Sequence, residues 1–433
     1  MRAVILAGGR GTRLAARFGD IPKPLVPVAG RPVLEHQLAS LRASGIHDVT
    51  LVVGHLAGHI VEHFGRGERH GMRIDYHLED RPLGTAGALG SLRDDLGGPT
   101  VVMYGDVMLD MDFTALLDFH AGHGGAVTLV AHPNDHPYDS DVLVLDSQDR
   151  VTGLLPKREP RAGWYANRVN AGVFVLEPRA LAGLVPGRAA DLERDVVRPA
   201  IPHRTVYAYL TAEYLKDMGT PERHAQVSAA AEAGLIAARH RARPQRAVFF
   251  DRDGTLNEYA GLLHDIDELR LAGGAAEAVA AVNHAGWLAV VVTNQPVVAR
   301  GLCTAVELAA IHAKLETLLG ERNAYVDAIY ACPHHPDRGY PGEVTELKVA
   351  CACRKPGTAL IDRAAARHHI DLSSSYLVGD GSCDVQAGRA AGMRTVLLDT
   401  GEGGRDGRCP GAEPDLRAST VSDAVAMILK GAE

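Results

Sequence analysis

Short runs of consecutive apolar residues recur along the chain, and stretches with helical spacing separate them. The runs are Ala3–Ala7, Val49–Val53, Thr100–Tyr104, Val127–Ala131, Leu288–Thr293, Tyr376–Gly379 and Thr395–Leu398. Strands that are apolar at every position are typical of parallel sheets covered by helices on both faces. The pattern therefore predicts the α/β class, with two parallel sheets in two doubly wound three-layer domains.

Two segments begin with an apolar strand that runs into a turn rich in Gly or Asp, as doubly wound domains do. These segments are Arg2–Thr12 and Arg246–Leu256. Between them lies an Ala-, Arg- and His-rich stretch of helical composition. We therefore predict a first domain over residues 1–230, a helical linker over 231–245 and a second domain over 246–433.

Charge and composition narrow the expected partners. The net charge of −8 offers no basic surface for nucleic acid, and the sequence opens in a strand without a charged and apolar leader. No apolar run approaches the roughly 20 residues of a membrane span. We expect a cytoplasmic protein that binds small molecules and neither nucleic acid nor membranes, while oligomerisation is left open.

The first strand leads into a glycine-rich loop, LAGGRGTRL, at Leu6–Leu14. Such loops aim backbone N–H groups at phosphate, although the same pattern also fits an ordinary turn. Lys23 stands between Pro22 and Pro24, which keep its backbone extended and present the ammonium to the same loop. The candidate phosphate-binding residues of the loop are Gly8, Gly9, Gly11, Thr12 and Arg13.

Further motifs follow the loop in order. They are Pro22–Pro32, Glu79–Leu89 (EDRPLGTAGAL), Gly105–Asp106, Asn170–Gly172 and Lys216–Glu222. Together with the loop they resemble the nucleotidyltransferases that activate sugar 1-phosphates, over nearly all of residues 1–230. The subgroup resembled most is the guanylyltransferases that act on manno-configured sugar 1-phosphates, which favours GTP as the nucleoside triphosphate.

This resemblance implies that a sugar phosphate oxygen attacks the nucleotide α-phosphorus and that pyrophosphate leaves. Asp106 and Asp217 would hold Mg²⁺, although either aspartate alone could be a turn or N-cap residue. Arg13 and Lys23 would grip phosphates, and Lys157 would meet the sugar phosphate. The remaining implied contacts to base and sugar are Pro82, Gly84, Thr85 and Asn170.

The first domain departs from its relatives at one position. They usually carry Glu before the lysine equated with Lys157, whereas this chain has Pro156 there and Glu159 downstream. Sugar recognition is therefore expected to differ. Guanine also requires an acceptor for its N1–H and N2–H₂ groups, and the sequence does not identify the residue that supplies it.

The second domain opens with FDRDGTLN, Phe250–Asn257, directly after an apolar strand. Two carboxylates at this spacing can act as a nucleophile and as an acid and base, although an isolated DxD is often only a turn. With Thr293, Lys355 and Asp380 downstream, the motifs resemble the four signatures of haloacid-dehalogenase-like phosphatases over residues 246–400.

The resemblance implies that Asp251 attacks phosphorus and becomes an aspartyl-phosphate, and that Asp253 protonates the leaving oxygen and then activates water. Thr293 would bond the phosphoryl group, and Lys355 would offset its charge. Mg²⁺ would be held by Asp251, Asp380 and the backbone of Asp253. The candidates for contacts to substrate are Asn294, Gln295, Arg300 and Arg354.

Two features of the second domain stay open. Asp384 could support the metal shell, or it could be a solvated carboxylate in the first turn of a helix. Relatives often read TNQSG where this chain has Gln295-Pro296-Val297, so we expect altered substrate contacts near this loop.

All six cysteines lie in the second domain, and three of them flank a histidine in two tight clusters. Cys332-Pro-His334 and Cys351-Ala-Cys353 are separated by sixteen residues. Three thiolates and an imidazole would close a tetrahedral structural Zn²⁺ site, with His335 as a reserve ligand. The alternative is three buried cysteines and a surface histidine. The cysteines expected to lack partners are Cys303, Cys383 and Cys409.

The zinc-binding loop, residues 332–353, resembles that of heptose 1,7-bisphosphate 7-phosphatases and related histidinol-phosphate phosphatases. We hypothesise that one half makes a heptose 1-phosphate and the other joins it to a nucleotide. The alternative substrates are mannose 1-phosphate and histidinol phosphate. A non-catalytic scaffold with decayed sites is the alternative of another class.

Overall fold

The computed structural model describes residues 1–9, 14 and 17–431. Its contacts group the chain into two compact units. The first unit is Met1–His132, Leu143–Pro156 and Arg168–His240. The second unit is Pro133–Val142, Lys157–Asn167 and Arg241–Glu433. Two short segments that precede residue 168 are therefore part of the second unit, while the domain boundaries given above stay a prediction.

The strands of the first unit are β1 (Arg2–Leu6), β2 (Pro27–Val28), β3 (Arg31–Pro32), β4 (Asp48–Val53), β5 (Arg73–Leu78), β6 (Thr100–Tyr104), β7 (Val107–Asp110), β8 (Val127–His132), β9 (Val142–Leu145), β10 (Val151–Leu155), β11 (Val169–Leu176), β12 (Val206–Leu210) and β13 (Tyr214–Asp217). The main sheet has the order β10-β9-β11-β6-β1-β4-β5, with β8 paired to β11 and β12. Two small pairs, β2–β3 and β7–β13, stand apart from it.

The α/β class is confirmed, but the first sheet is mixed rather than parallel. Strands β4 and β6 both run parallel to β1, whereas β11 runs antiparallel to β6. An apolar run shows that both faces of a strand are covered but does not show its direction, because a covered antiparallel strand has the same pattern. In β1, Ala3 and Ile5 face one hydrophobic core and Val4 faces another.

Helices cover both faces of this sheet. The α-helices of the first unit whose bounds lie within the described residues are Val33–Ala43, Ala57–Phe64, Gly87–Leu92, Phe113–His123, Arg198–Ala200, Pro221–Glu232 and Leu235–Ala238. Side-chain caps define the starts of two of these helices. The Asp112 carboxylate accepts from the N–H groups of Thr114 and Ala115, and the Thr220 hydroxyl accepts from Arg223 N–H.

The second unit contains a sheet in which every described pairing is parallel, as the sequence predicts. Its strands are β14 (Ala247–Phe250), β15 (Leu288–Asn294), β16 (Ala328–Cys332), β17 (Tyr376–Gly379), β18 (Arg394–Leu398) and β19 (Leu416–Ala418), in the order β16-β15-β14-β17-β18-β19. Its α-helices are Ala275–His284, Pro296–Ala299, Ala305–Gly320, Ala359–His368, Ser382–Ala390 and Val421–Lys430. Neighbouring strands β14, β15 and β17 end at one edge, where polar side chains gather.

The segment Lys157–Asn167 is tied to the helix Ala305–Gly320 within the second unit. The Thr317 hydroxyl donates to Tyr165 O at 2.9 Å and accepts from Tyr165 N–H at 3.0 Å. On the same helix, the Lys314 ammonium lies 5.1 Å from the ring centroid of Trp164. The contacts hold the backbone of this segment to the helix. Across the described residues, no helix combines the length and apolar character that a membrane crossing requires.

Candidate active sites

A cluster of carboxylates occupies the carboxyl edge of the second sheet. Asp251 follows β14, Asp380 follows β17, and Asp384 lies in the first turn of the helix Ser382–Ala390. One oxygen of each carboxylate lies within 4.8 Å of the others. Asp384 is buried, so the structure supports the metal-shell alternative for this residue and not the solvated one.

The carboxylates of this cluster repel one another. Burial raises the pKa of Asp251 to about 6, with the charges of Asp384 and Asp253 adding to it and Lys355 opposing it. Burial and the charges of Asp251 and Asp384 raise the pKa of Asp380 to about 8. A divalent cation among these oxygens would keep them ionised, so the donor set suits a hard cation such as Mg²⁺.

The backbone around Asp380 leaves room for its carboxylate. Glu402 N–H donates to Asp380 Oδ2 at 2.7 Å. Gly254 has φ +75°, and a Cβ at this position would collide with the Asp380 carboxylate. Glycine is thus required in the DRDGT turn by its φ and by the approach of the metal-site carboxylate.

Lys355 carries the positive charge of this cluster. Its Nζ donates to Val292 O at 2.8 Å, lies 3.0 Å from Asp251 Oδ1 and pairs with the Asp384 carboxylate. Burial acts to lower the pKa of Lys355, but the two carboxylates outweigh it and raise the pKa. Asn294 fixes the lysine backbone, since its Oδ1 accepts from Lys355 N–H at 2.8 Å and its Nδ2 donates to Lys355 O at 3.0 Å.

Asp253 faces a separate set of groups. Both of its oxygens accept hydrogen bonds from the Arg252 guanidinium, and Gln295 and Asn257 also donate to them. Burial acts to raise the pKa of Asp253, but Arg252 and these amide donors outweigh it and hold the pKa below its usual value. Gln295 is buried and also donates to Thr293 Oγ1, so its amide is engaged by the protein.

The Cys and His side chains of the predicted zinc set lie together. Cys353 Sγ is 3.2 Å from both Cys332 Sγ and Cys351 Sγ, and His334 Nδ1 is 3.2 Å from Cys353 Sγ. His335 Nδ1 instead accepts from Asp337 N–H at 3.2 Å. Three sulfurs and one imidazole nitrogen at this spacing suit a tetrahedral metal ion with soft ligands.

Two predicted substrate-binding arginines border this loop. The Arg300 guanidinium lies 4.3 Å from the Tyr340 ring centroid, and its buried Nε has no hydrogen-bond partner among the described residues. Arg354 Nη1 donates to His334 O at 3.4 Å. Arg354 therefore directly follows one candidate metal ligand, Cys353, and its side chain contacts the backbone of another, His334.

One expectation about the remaining cysteines is wrong. Cys383 and Cys409, which we expected to lack partners, lie with their Sγ atoms 3.2 Å apart, and both are buried. They are 26 residues apart in sequence, and the loop that returns Cys409 to Cys383 has no motif by which the contact could be foreseen.

In the first unit, Gly8 and Gly9 directly follow β1, while Gly11, Thr12 and Arg13 lie outside the described residues. The Glu79 carboxylate faces this loop, since a Cβ at Gly8 would be 3.0 Å from Glu79 Oε2. Glu79 Oε1 is buried and has no hydrogen-bond partner within the described parts of the chain. Burial raises the pKa of Glu79, and a hydrogen bond from Leu83 N–H opposes the rise.

The predicted metal-binding aspartates of the first unit lie on adjacent backbone segments. Asp217 ends β13 opposite Val107 of β7, and Asp106 directly precedes that residue. Met218 N–H donates to Asp106 O at 2.9 Å. Lys23 Nζ lies 2.8 Å from Asp106 Oδ2 and thus reaches the site that the sequence predicts.

Arg223 engages the second aspartate, Asp217, in a contact that no sequence motif predicts. Its Nη1 donates to both carboxylate oxygens of Asp217, at 2.9 and 2.8 Å. Gly219 N–H donates to the same carboxylate at 3.0 Å. These bonds fix the orientation of Asp217 at the end of β13.

The segment predicted to approach base and sugar packs against a second loop. Leu192 N–H donates to Thr85 Oγ1 at 2.8 Å, and Ala86 N–H donates to Ala190 O at 3.0 Å. Pro82 and Gly84 are exposed, so their backbone is accessible to a ligand.

Asn170 and Lys157 have different surroundings. Asn170 Nδ2 donates to Glu193 Oε1 at 3.1 Å, and the Tyr104 hydroxyl donates to the same oxygen at 2.7 Å. Lys157 is exposed, and its backbone N–H donates to Asp141 Oδ1 at 2.9 Å. Glu193 is therefore a carboxylate beside the NAG motif that the sequence analysis does not single out, because no motif marks it.

Comparison with known proteins agrees with this division of chemistry. A nucleotidyl transferase family model matches residues 2–234, and a HAD-hydrolase-like model matches residues 352–424. The mannose-1-phosphate guanylyltransferase of Mycobacterium tuberculosis is 34% identical over 236 residues, which are 54% of this chain and 65% of that protein. The mannose-1-phosphate guanyltransferase of Candida albicans is 34% identical over 228 residues, which are 51% of this chain and 62% of that protein.

One solved structure resembles part of the chain. The D,D-heptose 1,7-bisphosphate phosphatase from B. bronchiseptica has 33% sequence identity and a TM-score of 0.38, and the match covers 43% of this chain and 99% of that one. The chain spans less than two thirds of the length of the curated relatives named above. The chain belongs to the nucleotidyl transferase family over residues 2–234, and a HAD-like hydrolase domain lies C-terminal to that region.

Proposed function

We propose that the protein is a bifunctional enzyme of nucleotide-heptose synthesis. Its HAD-like unit removes the 7-phosphate of D-glycero-D-manno-heptose 1,7-bisphosphate, and its first unit transfers a guanylyl group from GTP to the resulting 1-phosphate. The observation that carries the phosphatase half is the meeting of Asp251, Asp380 and Asp384 with Lys355 at one sheet edge. The family match over residues 2–234 supports the transferase half.

In the phosphatase reaction, a carboxylate oxygen of Asp251 attacks the phosphorus of the 7-phosphate. The bond from phosphorus to the sugar oxygen breaks, and Asp253 gives that oxygen a proton. Water, losing a proton to Asp253, then attacks the phosphorus of the aspartyl-phosphate, the bond from phosphorus to the Asp251 oxygen breaks, and inorganic phosphate leaves. Mg²⁺ held by Asp251, Asp380 and Asp384 would neutralise the phosphoryl oxygens, together with Lys355.

In the transferase reaction, an oxygen of the sugar 1-phosphate attacks the α-phosphorus of GTP and pyrophosphate leaves. Asp106 and Asp217 would hold Mg²⁺, which would neutralise negative charge on the reacting phosphates. Lys23 now pairs with Asp106, and a cation on that carboxylate would free the ammonium for the nucleotide phosphates. The phosphate-contacting role that sequence resemblance implies for Lys157 is not part of this proposal, because Lys157 belongs to the second unit.

Glu79 supports the choice of guanine. Its carboxylate is partly buried beside the glycine-rich loop and offers an acceptor oxygen without a described partner. Guanine presents two donor groups, N1–H and N2–H₂, to such an acceptor, whereas uracil presents only N3–H, and adenine N1 and cytosine N3 are themselves acceptors. The names of the curated relatives, which are guanylyltransferases, point the same way.

The structural metal of the second unit is proposed to be Zn²⁺, held by Cys332, His334, Cys351 and Cys353. Its thiolate and imidazole donors match zinc better than magnesium. The site leaves no protein position open for a reacting water, so its role is to order the loop that ends beside Arg354 and Lys355.

The experiment incubates the full-length protein with the heptose bisphosphate, Mg²⁺ and each of the four nucleoside triphosphates. We expect phosphate release in every mixture, and GDP-heptose and pyrophosphate with GTP, followed by mass spectrometry. Absence of both phosphate release and a nucleotide-heptose would falsify the proposal. The curated relatives make mannose 1-phosphate the second candidate acceptor, and kcat/KM for the two sugar phosphates distinguishes them.

A further inference from the structure

The carboxylate of Asp253 is held on both oxygens by two planar groups that are themselves joined. Arg252 Nη2 donates to Oδ1 and to Oδ2, each at 2.9 Å, and Arg252 Nε donates to Oδ1 at 3.1 Å. Gln295 Nε2 donates to Oδ2 at 2.8 Å. A further bond from Arg252 Nη2 to Gln295 Oε1, at 3.0 Å, links the two groups. The carboxylate therefore has a fixed plane and a fixed rotamer.

The guanidinium in this network is fully buried. Arg252 is 0% exposed, and its Nη1 has no hydrogen-bond partner among the described residues. His312 lies within electrostatic range, and burial followed by the Arg252 charge lowers its pKa to about 3, so it stays neutral and adds no second positive charge beside the arginine. Replacing a buried ion pair by apolar side chains is often neutral or stabilising. Stability alone therefore gives little reason for an arginine at this position.

Gln295 connects the network to a second reacting position. The amide that bonds Asp253 also donates to Thr293 Oγ1 at 2.8 Å. Thr293 is the residue assigned to the transferred phosphoryl group, and Asp253 is the residue assigned to the leaving oxygen. One side chain thus sets the separation between the group that would hold phosphate and the group that would move a proton.

We propose that Arg252 and Gln295 are positioning residues for the acid–base step of the phosphatase reaction. They hold the Asp253 carboxylate so that it faces the leaving sugar oxygen in the first step and the attacking water in the second. The inference rests on the proposed phosphatase function and goes beyond it. It assigns Arg252 and Gln295 to holding the Asp253 carboxylate in place and assigns neither residue to substrate binding.

The test compares two phosphate esters in the full-length protein. A sugar phosphate needs a proton on its leaving oxygen, whereas p-nitrophenolate leaves without one. For Arg252→Met and Gln295→Met we expect kcat for the sugar phosphate to fall about 10²–10³-fold, as for the loss of general acid–base catalysis. The first turnover of p-nitrophenyl phosphate should stay within about threefold of the unmodified protein, with a burst that equals the enzyme concentration.

The burst follows because the aspartyl-phosphate still forms while activation of water is slow. Arg252→Lys should recover part of the sugar phosphate rate, and Arg239→Met, a buried arginine of the first unit, should change neither rate. Equal losses on both esters without a burst, in folded variants that bind Mg²⁺, would overturn the inference alone. If the unmodified protein hydrolyses neither ester, the proposed function fails and takes the inference with it.

Discussion

Lys355 Nζ lies 3.0 Å from Asp251 Oδ1 and also pairs with Asp384, so one buried ammonium joins the proposed nucleophile to a proposed metal ligand. Removing one member of a buried pair leaves the other charge without compensation. We expect Lys355→Met to lose about 3 kcal/mol of unfolding free energy, read from urea denaturation of the second unit.

The same substitution should lower phosphate release at least about 100-fold, because the ammonium also offsets the charge of the phosphoryl group. Lys430→Met, at an exposed lysine of the same unit, is the matched control and should leave both measurements unchanged. Activity of Lys355→Met near that of the unmodified protein would contradict the assignment of Lys355.

The metal-site carboxylates make the stability of the second unit depend on pH. Asp251 and Asp380 have pKa values raised to about 6 and about 8, while both would release their protons near pH 4 in the unfolded chain. Between pH 4 and pH 8 the folded state therefore binds more protons than the unfolded state, and stability from this site falls as pH rises. Mg²⁺ competes with these protons, so its stabilising effect should grow over the same range.

The measurement is the melting temperature from pH 5 to pH 8 in magnesium-free buffer and at one fixed Mg²⁺ concentration, which is about 100 times its Kd at pH 8. That concentration corresponds to about 2.7 kcal/mol of added stability for one site. Asp380→Asn should flatten the pH dependence and weaken the response to Mg²⁺. A Mg²⁺ effect that shrinks toward pH 8 would be inconsistent with this reading of the cluster.

Cys353 Sγ lies 3.2 Å from a ligand atom of each other member of the candidate zinc set, which are Cys332, His334 and Cys351. We expect Cys353→Ser to reduce bound zinc from about one ion per chain to a small fraction, by elemental analysis, since a closed tetrahedral site needs all its ligands. Phosphatase activity should fall because Arg354 and Lys355 follow the site directly. Cys303→Ser is the control, and retention of stoichiometric zinc by the Cys353 variant would exclude this site.

Glu79 should determine the preference of the transferase reaction for GTP over the other nucleoside triphosphates. Glu79→Gln replaces a charged acceptor by an amide with one acceptor oxygen, so we expect kcat/KM for GTP to fall about 10–100-fold, as for loss of a hydrogen bond to a charged group. The phosphatase reaction should not change. Glu68→Gln, at an exposed glutamate of the same unit, serves as control. An unchanged preference for GTP would assign guanine recognition to another group.

The sequence predicts those features that depend on local pattern. Apolar runs locate the strands, and the ends of those strands locate Asp251, Thr293 and Asp380. Such runs do not encode strand direction, so the sequence does not show that the first sheet contains an antiparallel strand, β11. The contact between Cys383 and Cys409 depends on how a loop returns and leaves no trace in residue spacing.

Side-chain direction is the other quantity that a motif does not contain. Arg252 stands between two aspartates in DRDGT, and the letters do not show that it turns inward to bind Asp253. Gln295 and Asn294 are predicted from the sequence as candidates for substrate contacts, yet their side chains bond Asp253 and the Lys355 backbone. The sequence alone does not show whether Asp384 is solvated or buried, because it does not show that Asp384 pairs with the buried Lys355.

The attachment of Tyr165 to Thr317 has a consequence for dissecting this protein. A cut at residue 240 produces a C-terminal fragment that lacks Lys157–Asn167, and the Thr317 hydroxyl then loses both of its backbone partners in that segment. If the two halves were expressed separately, the hydrolase fragment would expose the face of the helix Ala305–Gly320 that this segment contacts. Genetic modules that look separable in the sequence are interleaved in the folded chain, so mutation in place is a safer way to silence one activity than truncation.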